Sequence, residues 1–382
     1  MRLHGLEPAQ FLRENWQKKP LLLRGAWPDW QNPVAPDDLA GLACEETMES
    51  RLVVQQGDAL SVEHGPFDPG RFDTLGRSDW TLLVQGVDRI DPDVAAMIEP
   101  FRFIPDWRID DVMVSFAAEC GGVGAHFDAY DVFLVQGLGR RRWRIGQVCD
   151  ADTPLLPHND LKLLADFQPV AEYVLEPGDM LYVPPGIAHE GTALAGDGGG
   201  ADEGCMTYSI GFRAPSDIEL LADYTDDIVA ESLAETRYTD PDLRCAINPG
   251  EIGEDAIDQM HAMVLARLQD RESFTQWLGA NLSSGRHGPP DSDPDAVFHP
   301  ATALMRNPES RFAYIAAGPD NVTLFVDGEA YECSGPCAEF AKRLCAASHG
   351  QLDDELLANA ADRDLIEALL VSGALIPADD ME

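Results

Sequence analysis

Three side chains of metal-ligating type are set apart by their spacing. His126 and Asp128 stand as His-Phe-Asp within GGVGAHFDAYDVFLVQG. Residues two apart on an extended segment point to the same face, so both can reach one point in space. A third ligand is required. His189 follows 63 positions later, just after Pro184-Pro185-Gly186, a turn that predicts a returning strand carrying it back beside the pair. Two imidazoles and a carboxylate on one side of a metal leave the opposite positions open, the donor set of mononuclear non-haem Fe(II) sites. The bland account is two core histidines and a solvated aspartate. Gly121, Gly122 and Gly124 weigh against it, because glycines let backbone approach a site closely.

An anion anchor is the next candidate. In Arg140-Arg141-Arg142-Trp143-Arg144-Ile145 the apolar Trp143 and Ile145 must face an interior, which puts Arg141 on that face and Arg140, Arg142 and Arg144 outside. An inward arginine needs an anion, and its planar fork binds a carboxylate bidentately. The distal carboxylate of 2-oxoglutarate would satisfy it; an internal Asp or Glu would do so as well. Ser115 shares a face with Met113 and Ala117 and could add a hydroxyl to the same carboxylate, with Thr207 and Ser209 as lesser candidates.

The elements that must position these groups are short. From Arg108 the chain reads as successive strands, near 112–117, 126–128, 132–135, 141–145, 173–175, 180–183, around His189 and 206–212, punctuated by Gly and Pro, which predicts a β-sandwich or barrel. Before it come a helix over 5–16, a strand at 21–23, a helix capped by Asp37, strands at 51–55 and 80–85, a surface loop over 57–78 and a helix near 92–98. The insert 195–204, AGDGGGADEG, reads as a surface loop. After Pro215 the chain turns helical. One helix capped by Ser216 carries Ile218, Leu221 and Val229, and a second over 254–278 carries Ile257, Met260, Val264 and Trp277. Their apolar stripes must be buried on a partner subunit or on the barrel. Beyond a linker at 283–295, strands at 312–316, 322–326 and 330–332 and helices near 338–346 and 352–370 form a small domain of winged-helix type. After Arg311, Lys342, Arg343 and Arg363 are nearly its only basic residues, too few for a phosphate-binding face, so packing or protein contact is expected of it rather than nucleic-acid binding.

Composition narrows the partners. The 382 residues are 45% apolar and 25% charged, ordinary for a globular protein, with no apolar run of about 18 residues to span a bilayer. No apolar signal core opens the chain, so the cytoplasm is expected. Eight scattered cysteines fit reduced thiols, and Cys333 with Cys337 makes a poor zinc site without a second pair. The net charge of −40 would attract a basic protein and repel nucleic acid, or it reflects solubility and salt adaptation. Lysine occurs only as Lys18, Lys19, Lys162 and Lys342, and the acids are spread evenly.

The segments FLRENWQKKPLLLRGAW, WTLLVQGVDRIDP, FRFIPDWRIDDVMVSFA, GGVGAHFDAYDVFLVQGLGRRRWRIG, EPGDMLYVPPGIAHEG and YSIGFRAP together resemble bacterial ribosomal oxygenases. These are JmjC-type 2-oxoglutarate oxygenases of the cupin superfamily that hydroxylate an arginine of a large-subunit ribosomal protein. The resemblance implies an α+β chain: a double-stranded β-helix (JmjC/cupin barrel) over 1–215, a helical dimerisation region over 216–282 and a winged helix over 283–382. It also implies Fe(II) at His126, Asp128 and His189, 2-oxoglutarate at Arg141 and Ser115, a basic ribosomal substrate and a homodimer. Asp110, Asp111, Glu119, Tyr130 and Asp131 are candidates for the mouth that receives an arginine. An N-methyl-lysine demethylase shares the iron site, and a silent metal-binding cupin shares the fold. The acidic insert at 195–204 departs from the pattern.

Overall fold

A computed structural model describes residues 3–57, 59–195, 204–231, 235–245, 247–285, 288–299, 302–347, 352 and 363–378. The insert at 195–204 and the start of the helix expected over 352–370 lie largely outside them.

Short amphipathic strands build two facing sheets. In chain order these are β1 (Leu21–Leu23), β2 (Ser50–Gln56), β3 (Ala59–His64), β4 (Trp80–Val84), β5 (Ile109–Ala117), β6 (Asp131–Leu138), β7 (Arg141–Val148), β8 (Ala171–Leu175), β9 (Met180–Val183), β10 (Ile187–Ala193) and β11 (Cys205–Phe212). The larger sheet runs β1-β9-β6-β11-β5-β4-β2-β3 and the smaller β10-β7-β8, with antiparallel neighbours throughout. Side chains alternate across each strand, so the large sheet feeds two cores. Phe133, Val135, Met180, Tyr182, Val112, Val114, Tyr208 and Phe212 face a core closed by the N-terminal helices α1 (Pro8–Glu14), α2 (Pro36–Leu42), α3 (Gly70–Asp73) and α4 (Pro92–Ala96). Residues of opposite parity, Val132, Leu134, Leu181 and Val183, meet Trp143 and Ile145 of the small sheet inside the barrel.

Several expectations change on folding. The span 57–78 is no plain loop. Its LSVEH alternation lets β3 pair with β2 in register Arg51↔His64, giving the large sheet a polar edge strand. Pro36 occupies the first helical position of α2 and Ala35 is its cap, so Asp37 lies inside the first turn. The helix expected over 254–278 is two, α6 (Glu254–Leu268) and α7 (Arg271–Ser283), following α5 (Asp217–Glu231). Asp270 starts α7 by accepting from the N–H groups of Glu272 and Ser273. Ser216 and Glu219 form a reciprocal capping box at the start of α5, Glu219 N to Ser216 Oγ at 3.1 Å and Ser216 N to Glu219 Oε2 at 2.8 Å.

The C-terminal unit has a three-stranded sheet of β13 (Phe312–Ala316), β14 (Asn321–Val326) and β15 (Glu329–Ser334) with α8 (Pro336–Ala346) and α9 (Arg363–Val371). A further pair joins β12 (Leu304–Arg306) to β16 (Leu375–Pro377). Phe312, Leu324, Phe340, Leu344, Ile366 and Leu369 fill its core. Helix α7 lies against this sheet, with Gly279 so close to the Phe325 ring that a β-carbon there would collide. The unit is also tied to the barrel. Arg102 donates to the carbonyls of Cys345 (2.7 Å) and Ala347 (2.6 Å), placing a cation at the C-terminus of α8, where the helix dipole favours it.

Candidate active site

His189 sits on β10, opposite Ile145 of β7, and is almost fully buried. His126 and Asp128 are not on a regular strand, contrary to the sequence expectation. A single bridge, His126 N to His189 O at 3.0 Å and His189 N to His126 O at 2.8 Å, holds the two main chains side by side. Gly122 makes this approach possible, since a β-carbon there would stand 2.5 Å from the Gly191 carbonyl oxygen. On the other side, the turn at Gly186 donates its N–H to the Asp128 carbonyl at 2.8 Å. The three side chains therefore converge because their backbones are bonded to one another.

The ligand atoms lie within 4.8 Å of one another, with Asp128 Oδ2 3.5 Å from His189 Nε2 and 4.0 Å from His126 Nε2. Among the described residues this is the one cluster of such groups. Each imidazole uses Nδ1 on a backbone carbonyl, His126 on Gly124 (3.0 Å) and His189 on Ile187 (2.9 Å). Nδ1 then carries the proton and Nε2 presents its lone pair to the common point. Burial, reinforced by His126 beside it, holds the His189 pKa well below its ordinary value. A neutral imidazole is the form that binds a metal. The residues present fit a divalent transition metal.

A cavity of about 400 Å³ opens from this point. Arg141 lies at its inner end, 5% exposed, as the alternation of β7 requires. Its Nη1 stands 3.5 Å from Ser115 Oγ, while Nε and Nη2 have no hydrogen-bond partner. Trp143 Nε1 and Thr81 Oγ1 also line the cavity, buried and without partners. Buried polar groups are nearly always satisfied, so four orphaned atoms around one space mark the shape of a polar ligand. A planar carboxylate fits the guanidinium fork, and among the described residues no Asp or Glu occupies it, which weighs against the ion-pair alternative for Arg141.

Other expectations divide. Ser209 lines the cavity, whereas Thr207 turns its hydroxyl to Gln136 Oε1 at 3.3 Å and stays outside. Asp110, Asp111 and Tyr130 line the mouth. Asp131 does not, because its parity on β6 sends it to the opposite core, where it accepts from Tyr182, Gln17 and Arg108. Glu119 likewise lies off the cavity; its carbonyl accepts from Asp79 N where the chain runs past the ends of β4 and β5. Arg51, Thr81, Leu83 and Gln85 were missed. They belong to β2, β4 and the turn after it, and the pairings of β2 with β4, Arg51 opposite Leu83, and of β4 with β5, Thr81 opposite Ala117, join segments that local patterns do not connect.

Comparison with known proteins agrees with this geometry. Residues 96–220 match the JmjC domain family and residues 266–375 the ROXA-like winged helix. The chain is 41% identical over 290 residues to the ribosomal protein uL16 3-hydroxylase of Escherichia coli strain K12, covering 76% of this chain and 75% of that protein. It is 33% identical over 300 residues to a probable ribosomal oxygenase of Haemophilus influenzae, covering 74% and 70%. The solved structure of YcfD, a ribosomal oxygenase from Escherichia coli in complex with cobalt and 2-oxoglutarate, superimposes with a TM-score of 0.82 at 35% identity, covering 98% of this chain and 99% of that one. With this extent of matching in both sequence and structure, the chain belongs to the bacterial ribosomal oxygenases of the JmjC family.

Proposed function

We propose that this protein is an Fe(II)- and 2-oxoglutarate-dependent hydroxylase acting on an arginine side chain of a large-subunit ribosomal protein. The observation that carries the reading is one cavity holding both a His-Asp-His cluster and an unsatisfied arginine fork. His126, Asp128 and His189 are the residues to hold iron. Arg141, with Ser115, is the group to hold the distal carboxylate of 2-oxoglutarate. When bound, iron and 2-oxoglutarate supply oxidation of an unactivated C–H bond by O₂, with succinate and CO₂ as products.

The chain's own contribution is orientation and exclusion of water. The carbonyls of Gly124 and Ile187 fix both imidazole tautomers. Val132, Leu134 and Trp143 wall the inner cavity, keeping bulk water from the anion and strengthening its bond to Arg141. At the mouth, Asp110, Asp111 and Tyr130 offer two carboxylates and a phenol to an incoming guanidinium. The net charge of −40 favours encounter with a basic protein.

Organisation follows the same reading. The division into a catalytic unit over 1–215, a helical region over 216–282 and a winged helix over 283–382 is proposed, with α7 lending one face to the winged-helix sheet. Ile218 and Val229 of α5 and Ile257 and Val264 of α6 are exposed in the single chain, which supports a homodimer built on these helices. No described helix is long and apolar enough to cross a membrane, and we place the protein in the cytoplasm with its substrate.

The test is turnover with Fe(II), 2-oxoglutarate and uL16-derived peptides, following succinate and peptide mass. Gain of one oxygen on an arginine supports the proposal. Formaldehyde release from methyl-lysine peptides would reassign the chain as a demethylase, and no turnover with any substrate would reduce it to a metal-binding module.

A further inference from the structure

Strand β5 carries the acidic wall of the mouth, yet among the described residues its first half has no strand neighbour on one side. The ladder from β4 reaches only Val114, and opposite Ile109 the register with β11 shifts. The exposed backbone groups are taken up from elsewhere. Val112 N donates to the Asp88 carboxylate at 2.8 Å. The carbonyls of Ile109 (2.7 Å) and Asp110 both accept from the guanidinium of Arg311, a residue of the winged-helix unit 202 and 201 positions away in sequence. Arg311 is itself pinned in its hairpin, its N–H donating to Asp327 Oδ1 at 2.8 Å and its carbonyl accepting from Asp327 N at 3.1 Å.

The two carboxylates on this segment are held from both sides. Asp110 pairs with Arg213 at 3.3 Å, and Arg213 also donates to the carbonyls of Leu282 and Ser284. Asp111 Oδ2 accepts from Gln85 Nε2 and Gly86 N, each at 2.9 Å. Asp110 and Asp111 line both the 400 Å³ cavity and a second one of about 80 Å³ between barrel and winged helix, which Arg311 also lines. The substrate wall is thus one layer thick, with the winged helix directly behind it.

We propose that Arg311 is a positioning residue for substrate recognition, through which the winged-helix unit stands in for a missing strand and holds Asp110 and Asp111 at the mouth. The inference rests on the reading of these two carboxylates as the guanidinium-binding wall. Arg311 touches neither the metal ligands nor Arg141, so its loss acts on the protein substrate and leaves the cosubstrate alone.

The experiment compares the full-length wild type with Arg311→Ala, Arg311→Lys, Arg89→Ala and Asp111→Asn. Arg89 pairs with Glu309 at 3.4 Å across the same boundary but holds no carbonyl of β5, so it reports on domain docking in general. The readouts are KM and kcat for a uL16-derived peptide, 2-oxoglutarate affinity by calorimetry with Mn(II), and succinate formation without peptide. Arg311→Ala is expected to raise the peptide KM about tenfold, ~1.4 kcal/mol, with kcat, 2-oxoglutarate affinity and peptide-free turnover unchanged. Arg311→Lys keeps one of the two bonds and is expected at about threefold, which preserves the test if the alanine variant fails to fold. A wild-type KM in the lysine variant, or an equal rise in Arg89→Ala, overturns the proposal. An unchanged KM in Asp111→Asn overturns instead the recognition reading beneath it.

Discussion

Replacing Arg141 by methionine should move stability and cosubstrate affinity in opposite directions. In the ligand-free chain the guanidinium is buried with Nε and Nη2 unsatisfied and one weak contact to Ser115 at 3.5 Å. An apolar side chain of similar length relieves that desolvation, and replacing buried charge by packed apolar groups is often stabilising by about 1–4 kcal/mol. The ligand-free variant should therefore melt at or above the wild-type temperature. With 2-oxoglutarate the order reverses. Truncating one partner of a buried, hydrogen-bonded charge pair costs about 2–5 kcal/mol, or roughly 30-fold to a few thousand-fold in Kd. At a cosubstrate concentration 100 times its Kd the wild type gains about 2.7 kcal/mol of stability, and the variant gains at most about 0.9 kcal/mol, falling to almost none at the upper end of that range. Calorimetric titration with Mn(II) present and thermal melts with and without 2-oxoglutarate read both effects. A variant that binds 2-oxoglutarate as tightly as wild type would falsify the anchor assignment, and a variant destabilised by several degrees without ligand would show that Arg141 has an internal partner.

Three further outcomes follow from the same geometry. His126→Ala should abolish turnover and the Co(II) absorption bands of the loaded site; retention of either removes His126 from the ligand set. Gly191→Ala places a β-carbon 2.7 Å from the Trp143 ring, and overpacking of this kind costs about 1–3 kcal/mol, so Tm should fall and 2-oxoglutarate binding should weaken together as the indole is pushed into the cavity. Loss of stability with unchanged cosubstrate affinity would place the indole outside that site. The Asp88 carboxyl is pushed up to about 7, first by burial and then by Asp111, against the opposing effects of the Val112 N–H and Arg311. Its folded value lies above the ordinary carboxyl value of about 3.9, so the stability it contributes is full below that pH and is lost as pH rises through about 7. The Tm difference between Asp88→Asn and wild type should accordingly shift in favour of the variant from pH 5 to pH 8. A constant difference would mean that Asp88 is ionised throughout.

Much of the centre was legible in sequence because its information is local. The i, i+2 spacing of His126 and Asp128, the Pro-Pro-Gly turn before His189 and the alternation around Trp143 each depend on a few neighbouring residues. The face of Arg141 could be derived for the same reason, since strand parity admits two choices and Trp143 and Ile145 decide between them. Asp131 was a mouth candidate only by nearness in sequence, and the core it enters is set by the pairing of β6 with β11 and β9, a contact between distant segments. Glu119 likewise was near the site in sequence but is bridged to Ser78 past the ends of β4 and β5, off the cavity.

Tertiary structure alone decided what surrounds these groups. Thr81 reaches the cavity because β4 pairs with β5 across a helical excursion, and β3 forms because β2 offers an edge to a polar strand that its own composition does not announce. The break between α6 and α7 could be read from Asp270, but the burial of α7 against Phe325 could not. Arg311 reads in sequence as one more surface cation before a strand, and only folding brings its fork to the carbonyls behind the acidic wall. The physical reason is range. Residue type and periodicity determine the donors at a metal site and the face of a strand, whereas the partner of a buried polar group is set by chain segments that meet only when the two units pack together.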